Sequence, residues 1–256
     1  VSDGLRVAVD GGVATLWLDR PEKRNAVTYE MWRGIGDRCT ELAEDPSVRL
    51  LVVRGAGGHF CAGADIGGFA GPMPPDYGRV NHAAEVALSS FPKPTIAFIT
   101  GACVGGGAEI AVACDLRIAD TSARFGITPA RLGIVYPPFA IERVVRLIGP
   151  ASAKHLLFSA ELIDADRALR IGLVDEVHEP AAATERLAAF TSLLATQRSL
   201  LTQQASKAMI DAAAETGSIP DDLVERWNRE MSTSPDRAEG VAAFLEQRPP
   251  RFTWPS

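Results

Sequence analysis

The stretch Thr100 to Leu116, TGACVGGGAEIAVACDL, sets three glycines, Gly105 to Gly107, just ahead of one acid, Glu109, and an apolar run. Glycine lets a ligand come close to main-chain N–H groups. A helix that begins there adds unpaired amides and a partial positive charge. Together these features suit a developing oxyanion, with Glu109 placed to move a proton. An ordinary turn into a helix, with an acid favoured by the dipole, would use the same residues. A second small-residue turn lies upstream in GHFCAGADI (58–66), where Ala62, Gly63, Ala64 and Asp65 follow a strand-like region. Asp65 there is also a natural N-cap. Two such turns, each after a strand, make a joint case for two convergent N–H donors.

Other chemistries lack their motifs. A G-x-G-x-x-G pattern begun at Gly105 would end on Ile110, and one begun at Gly55 on Phe60. There is no G-K-[ST], and no serine has glycine two positions to each side. The histidines at 59, 82, 155 and 178 are scattered, without H-E-x-x-H. The cysteines at 39, 61, 103 and 114 form no C-x-x-C and fit no zinc spacing, so no metal is expected. Cys103 and Cys114 sit in apolar runs as small core residues.

The elements that must position these turns follow from patterning. Leu5–Val9 and Val13–Leu18 flank DGG, a hairpin signal. Thr28 caps a helix running to about Leu42, with Met31, Ile35 and Leu42 on one face. Segments 49–55, 94–101 and 116–120 read as buried strands separated by helical patterns, which argues an α/β fold. After about Gly149 the pattern is mostly amphipathic helix, with GLVDEV as one short strand.

The chain has 256 residues, 46% hydrophobic and 23% charged, enough for one large domain or one with an appendage. Its formal net charge of -6 provides no global field for nucleic acid or an anionic membrane. No apolar stretch reaches the ~18 residues of a membrane span. The first residues do not read as a signal peptide, and the cysteine usage fits a reducing compartment, so a cytoplasmic location is expected.

Five blocks resemble the enoyl-CoA hydratase/isomerase (crotonase) superfamily: LDRPEKRNAVTYEM, GHFCAGADI, TGACVGGGAEIAVACDLRIA, RFGITPARLGI and AFLEQRPPRF. They fall in family order across nearly the whole chain. The resemblance implies a crotonase-like spiral of ββα units over residues 1–195. A C-terminal helical region, 196–256, would make the contacts of a homotrimer or dimer of trimers. It implies an acyl-CoA thioester substrate and no separate cofactor. It assigns oxyanion amides to Ala64 and Gly106 and the proton-moving role to Glu109. Lys23, Arg24, Ala26, Ala62, Gly63, Asp65 and Ile66 would line the path of the CoA moiety.

The resemblance also exposes a departure. A hydratase of this family uses two glutamates, and the second belongs at Pro129, which cannot move a proton. Enoyl-CoA hydration is the leading expectation. Double-bond isomerisation, decarboxylation of a malonyl-type thioester, or acyl-CoA binding without efficient turnover are the alternatives. Thr128, Pro129, Leu132, Gly133 and Tyr136 resemble the decarboxylase branch, in which Tyr136 would orient a carboxylate or return a proton. Against that, the branch carries His at the position of Ala64. Glu142 is a candidate for the missing acid, Arg131 for pairing a substrate carboxylate, and Phe69, Val80 and Phe139 for an acyl-tail pocket.

Overall fold

The structure, a computed structural model, describes residues 4–69 and 74–254. The chain opens with β1 (Leu5–Asp10) and β2 (Val13–Leu18), paired antiparallel. Gly11 and Gly12 join them at φ of 53° and 84°, the positive values a two-residue hairpin turn demands. A polar loop with one 3-10 turn leads to α1 (Tyr29–Glu44). The Thr28 hydroxyl accepts the Met31 amide at 3.2 Å, satisfying one of the helix's orphan donors.

Three rounds of a repeated path follow. The first is β3 (Leu50–Gly55), a bridge at Cys61, then α2 (Tyr77–Ser89). The second is β4 (Thr95–Ile99), β5 (Ala102–Val104) and α3 (Gly106–Ala113). The third is β6 (Leu116–Asp120), β7 (Arg124–Gly126) and α4 (Pro138–Ser159). Next come β8 (Ile163–Asp164), α5 (Ala165–Arg170), β9 (Glu176–His178) and α6 (Pro180–Gln197). The tail is α7 (Leu200–Thr216), α8 (Asp221–Thr233) and α9 (Asp236–Leu245).

The first strand of each round enters a six-stranded sheet of order β1-β2-β3-β4-β6-β9, parallel beyond the opening hairpin. The second strand enters a small sheet, β5-β7-β8, which the Cys61–Cys103 bridge extends. This is the crotonase-like spiral of ββα units. The central strands β3 and β4 are buried on both faces, so they read as largely continuous apolar runs. Leu51, Val53, Ala97 and Ile99 belong to one core with α1, α2 and α3. Leu50, Val52, Ile96, Phe98 and Ile118 pack with Ala183 and Leu187 of α6.

Two features differ from the local patterning of the sequence. The small sheet is implied by the family resemblance but not by local patterning, because strands of two or three residues are too short to show a period. α4 joins segments that read as separate helices, and Gly149, at φ 73° and ψ 164°, breaks its helical path just before Pro150.

One buried side chain fixes the loop between β2 and α1. Asn25 has φ 60°, is fully buried, accepts the Arg20 amide at 2.9 Å, and donates to the carbonyls of Ala56 at 2.8 Å and His59 at 2.6 Å. Asn25→Ala strips partners from three main-chain groups and puts alanine in a left-handed conformation. We expect a loss of about 3 kcal/mol in denaturant unfolding. A midpoint equal to that of the parent protein would contradict this account.

Candidate active site

The two small-residue turns meet main chain to main chain. In the first, Cys61 N donates to Ala102 O at 2.8 Å and Val104 N to Cys61 O at 2.9 Å. On its other side Ala62 N donates to Arg24 O (2.9 Å), Val27 N to Gly63 O (2.8 Å) and Asp65 N to Val27 O (2.9 Å). In the second, Gly105 N donates to Gly126 O at 2.9 Å, and Gly105 turns the chain at φ 55°, ψ -114°. These bonds engage the neighbours of Ala64 and Gly106 on the strand side of each turn. Among the described residues neither Ala64 N nor Gly106 N has a protein acceptor.

Their closeness shows in what a side chain would meet. A Cβ on Gly106 would lie 3.3 Å from Ala64 N and 3.1 Å from Trp32 Cζ2. A Cβ on Gly63 would lie 3.1 Å from Val104 O and 3.7 Å from Gly106 N. One on Gly107 would sit 2.4 Å from Cys61 O, inside van der Waals contact. The glycines are there because two backbones touch.

Both turns open into one cavity of about 500 Å³, walled by Trp32, Ile66, Tyr77, Leu132, Ile134 and Val135. Glu109 projects into it from the first turn of α3 and is buried. Asn81 of α2 donates Nδ2–H to Glu109 Oε1 at 2.5 Å. Burial pushes the Glu109 carboxyl up to about 8, with buried Glu85 of α2 adding to the rise and the Asn81 bond opposing it. At neutral pH Glu109 is therefore mostly the uncharged acid. Two free amides facing a neutral acid across an apolar cavity can hold a carbonyl oxygen as it gains charge and exchange a proton beside it.

Known proteins resemble this chain over nearly its whole length. A family model for enoyl-CoA hydratase/isomerase matches residues 8–255. The chain is 34% identical over 250 residues to a crotonyl-CoA hydratase of Syntrophomonas wolfei, covering 94% of each chain. It is 35% identical over 255 residues to an (E)-benzylidenesuccinyl-CoA hydratase of Thauera aromatica, covering 97% of this chain and 98% of that one. Its structure superimposes with TM-score 0.93 on an enoyl-CoA hydratase/carnithine racemase from Magnetospirillum magneticum at 32% identity, covering 99% of this chain and 96% of that one. The chain belongs to the enoyl-CoA hydratase/isomerase family.

For a member of the enoyl-CoA hydratase/isomerase family, the placement of each sequence-derived candidate is informative. Ala62, Gly63, Ala64, Ile66, Gly106, Glu109 and Tyr136 line this cavity. Lys23 and Arg24 are exposed on the loop whose Arg24 carbonyl holds the Ala62 amide. Ala26 and Asp65 do not line the cavity. The Arg20 guanidinium binds both, reaching Ala26 O at 2.7 Å and Asp65 Oδ2 at 2.9 Å. Asp65 also accepts the Gly67 amide at 3.2 Å, the capping role read from sequence. Tyr136 is committed: its hydroxyl donates to Gly105 O at 2.9 Å and props the second turn. Burial holds its phenol well above the usual range, so it does not ionise near neutrality.

Four further candidates from the sequence do not line the cavity. Glu142 is exposed on α4, and Arg131 is exposed at the end of a 3-10 turn. Val80 packs between α1 and α2 beside a different cavity, and Phe139 stacks on His82 at 4.6 Å. The side chain of Phe69 lies outside the described part. Pro129 does line the cavity, so the departure from the two-glutamate pattern falls inside the site itself. Sequence reading missed Asn81, Tyr77 and Trp32. The Trp32 Nε1–H donates to the Tyr77 hydroxyl at 3.0 Å, fixing both rings in the wall.

The raised carboxyl of Glu109 has a stability signature. Its folded value, about 8, lies above the ordinary 4.5, so the folded chain keeps a proton that the unfolded chain loses. That contribution is full below the ordinary value and lost as pH rises through the folded one. We expect the parent protein to lose melting temperature relative to Glu109→Gln between about pH 5 and pH 9. Parallel melting curves across that range would contradict a neutral, buried Glu109.

Proposed function

We propose that this chain hydrates an enoyl-CoA thioester, with Ala64 N and Gly106 N holding the thioester oxygen and Glu109 moving the proton. The observation that carries this reading is the pair of amides without protein acceptors, set beside a buried carboxyl in one cavity. Lys23 and Arg24, exposed on the loop tied to the Ala64 turn, suit the phosphates of the CoA moiety. The apolar wall suits the acyl chain.

The chemistry balances with one carboxyl. Water oxygen bonds to Cβ and the double-bond electrons shift onto the thioester oxygen, where the two amides stabilise the enolate. The water proton passes to the free carbonyl lone pair of Glu109 as the acid's own proton passes to Cα. The carboxyl ends neutral with its proton on the other oxygen, and exchange with solvent returns the proton to its starting position before the next turnover, so no second acid at position 129 is required. The scheme uses no cofactor beyond the CoA carried by the substrate.

Pro129 and the neutral state of Glu109 favour one second reading, decarboxylation of a malonyl-type thioester. There the bond from Cα to the carboxylate breaks and its electrons form the same enolate. CO₂ leaves, and Glu109 protonates Cα. Among the described residues no Lys or Arg lines the cavity to receive that carboxylate, which ranks this reading second.

Crotonyl-CoA and methylmalonyl-CoA assayed on one preparation separate the readings. We expect water addition to crotonyl-CoA. Glu109→Gln is expected to lower kcat about 10²- to 10⁴-fold with little change in KM. Gly106→Val, whose side chain would intrude between the amides and Trp32, is expected to lower kcat about 10²-fold or more. Binding of crotonyl-CoA with neither reaction would overturn the enzymatic reading. CO₂ release alone would overturn hydration.

A further inference from the structure

Three residues of α2, Tyr77, Asn81 and Glu85, recur every four positions and so share one face of the helix. That face packs on α3 and presents polar groups in what is otherwise apolar contact. Tyr77 lines the cavity and accepts the Trp32 N–H. Asn81 is buried and donates to Glu109 Oε1 at 2.5 Å. Glu85 is buried one turn further on and is ion-paired with Arg143 Nε of α4. Burying an amide and a carboxylate on a helix face is costly unless each has a specific partner. Here the partners lead from Glu109 to α2, and from α2 to α4.

We propose that Asn81 is the positioning residue for Glu109: its N–H occupies Oε1, so that the transferable proton of the acid sits on Oε2. The inference rests on Glu109 being the group that moves the proton. Its basis is the direction of the hydrogen bond. The carbonyl oxygen of a carboxylic acid is the stronger acceptor, so an N–H donor held at Oε1 favours the form that carries the acid's proton on the other oxygen. Without Asn81 the carboxyl is free to turn and to carry its proton on either oxygen. Glu85, held by Arg143, sets the electrostatic background from one turn below.

Every ionisable neighbour that bears on Glu109 is accounted for. Tyr77 and Glu85 lie on α2, and Arg143 faces Glu85 from α4. Cys61 lies in the first turn, and Tyr136 follows the 3-10 turn. β5 brings only the buried Cys103 thiol, and β4 carries no ionisable side chain. Burial pushes the Cys61 thiol and the Tyr77 phenol up to about 12 and holds the Cys103 thiol and the Tyr136 phenol well above their ordinary values. None of these four titrates where Glu109 does.

The test combines Asn81→Ala, the isosteric Asn81→Asp and Glu85→Gln, read by turnover and by a direct titration of Glu109. The titration follows the infrared carbonyl stretch of the protonated acid against pH, with Glu109→Gln as the blank. Both Asn81 variants are expected to move the Glu109 midpoint upward, because a donor to the carboxylate is gone. Glu85→Gln is expected to move it downward, because a neighbouring negative charge is gone. With crotonyl-CoA, Asn81→Ala is expected to lose about 10- to 100-fold in kcat with KM nearly unchanged. A lower melting temperature with an unmoved midpoint would overturn the positioning role and leave Asn81 a packing residue. Opposite midpoint shifts in a protein that turns over neither thioester would uphold the positioning role and overturn the proposed reaction instead.

Discussion

The site depends on two strands of backbone pressed together without side chains between them. Gly63, Gly106 and Gly107 occupy the contact, and a single Cβ on the last would fall 2.4 Å from the Cys61 carbonyl oxygen. Because the contact is main chain on main chain, its hydrogen bonds are dictated by geometry. The amides of Cys61, Ala62 and Asp65 on one side and Gly105 on the other all find carbonyls. The amides of Ala64 and Gly106 are left free at the crest of each turn, next to each other. A helix N-terminus stands behind one of them, so the electrostatic field at the pair favours negative charge.

Burial then acts on the one carboxyl brought to that place. Glu109 sits in the first turn of α3, where a negative charge would be favoured by the dipole, yet burial pushes its carboxyl up to about 8. Desolvation outweighs the Asn81 donor. Pro129, in the opposite wall, leaves this acid without a carboxylate across the cavity. Proton transfer by one neutral group, giving with one oxygen and receiving with the other, is the chemistry this balance supports.

Much of this was legible in sequence where the signal is local. The DGG hairpin, the Thr28 cap, the three central strands and both glycine turns declare themselves in a few adjacent residues. Glu109 is legible because it follows the glycines at a fixed spacing. Asn81 is not: in GRVNHAAEV it reads as one polar residue on a helix surface, and only the packing of α2 against α3 gives it a partner. Arg20 and Asn25 are equally silent, since Asp65, Ala56 and His59, which they tie to the loop, lie 31 to 45 positions away. Glu142 and Phe139 misled because a helix can be read from sequence while the direction its faces point cannot. The spiral repeat comes from the family resemblance and not from local patterning, for a simpler reason. Its second strands are only three residues long, and Cys61 contributes a single bridge.

Cys61 lies directly behind the turn that presents the Ala64 amide, which is a hazardous position for a thiol in a protein proposed to handle thioesters. An ionised thiol there would capture the acyl group from CoA and trap it on the protein. Cys61 is fully buried, its sulfur is held by the main chain of Gly63, and burial pushes its thiol up to about 12. The sulfur therefore stays protonated and out of reach. The same close packing that bares the two amides keeps the protein from becoming a dead-end acceptor of its own substrate.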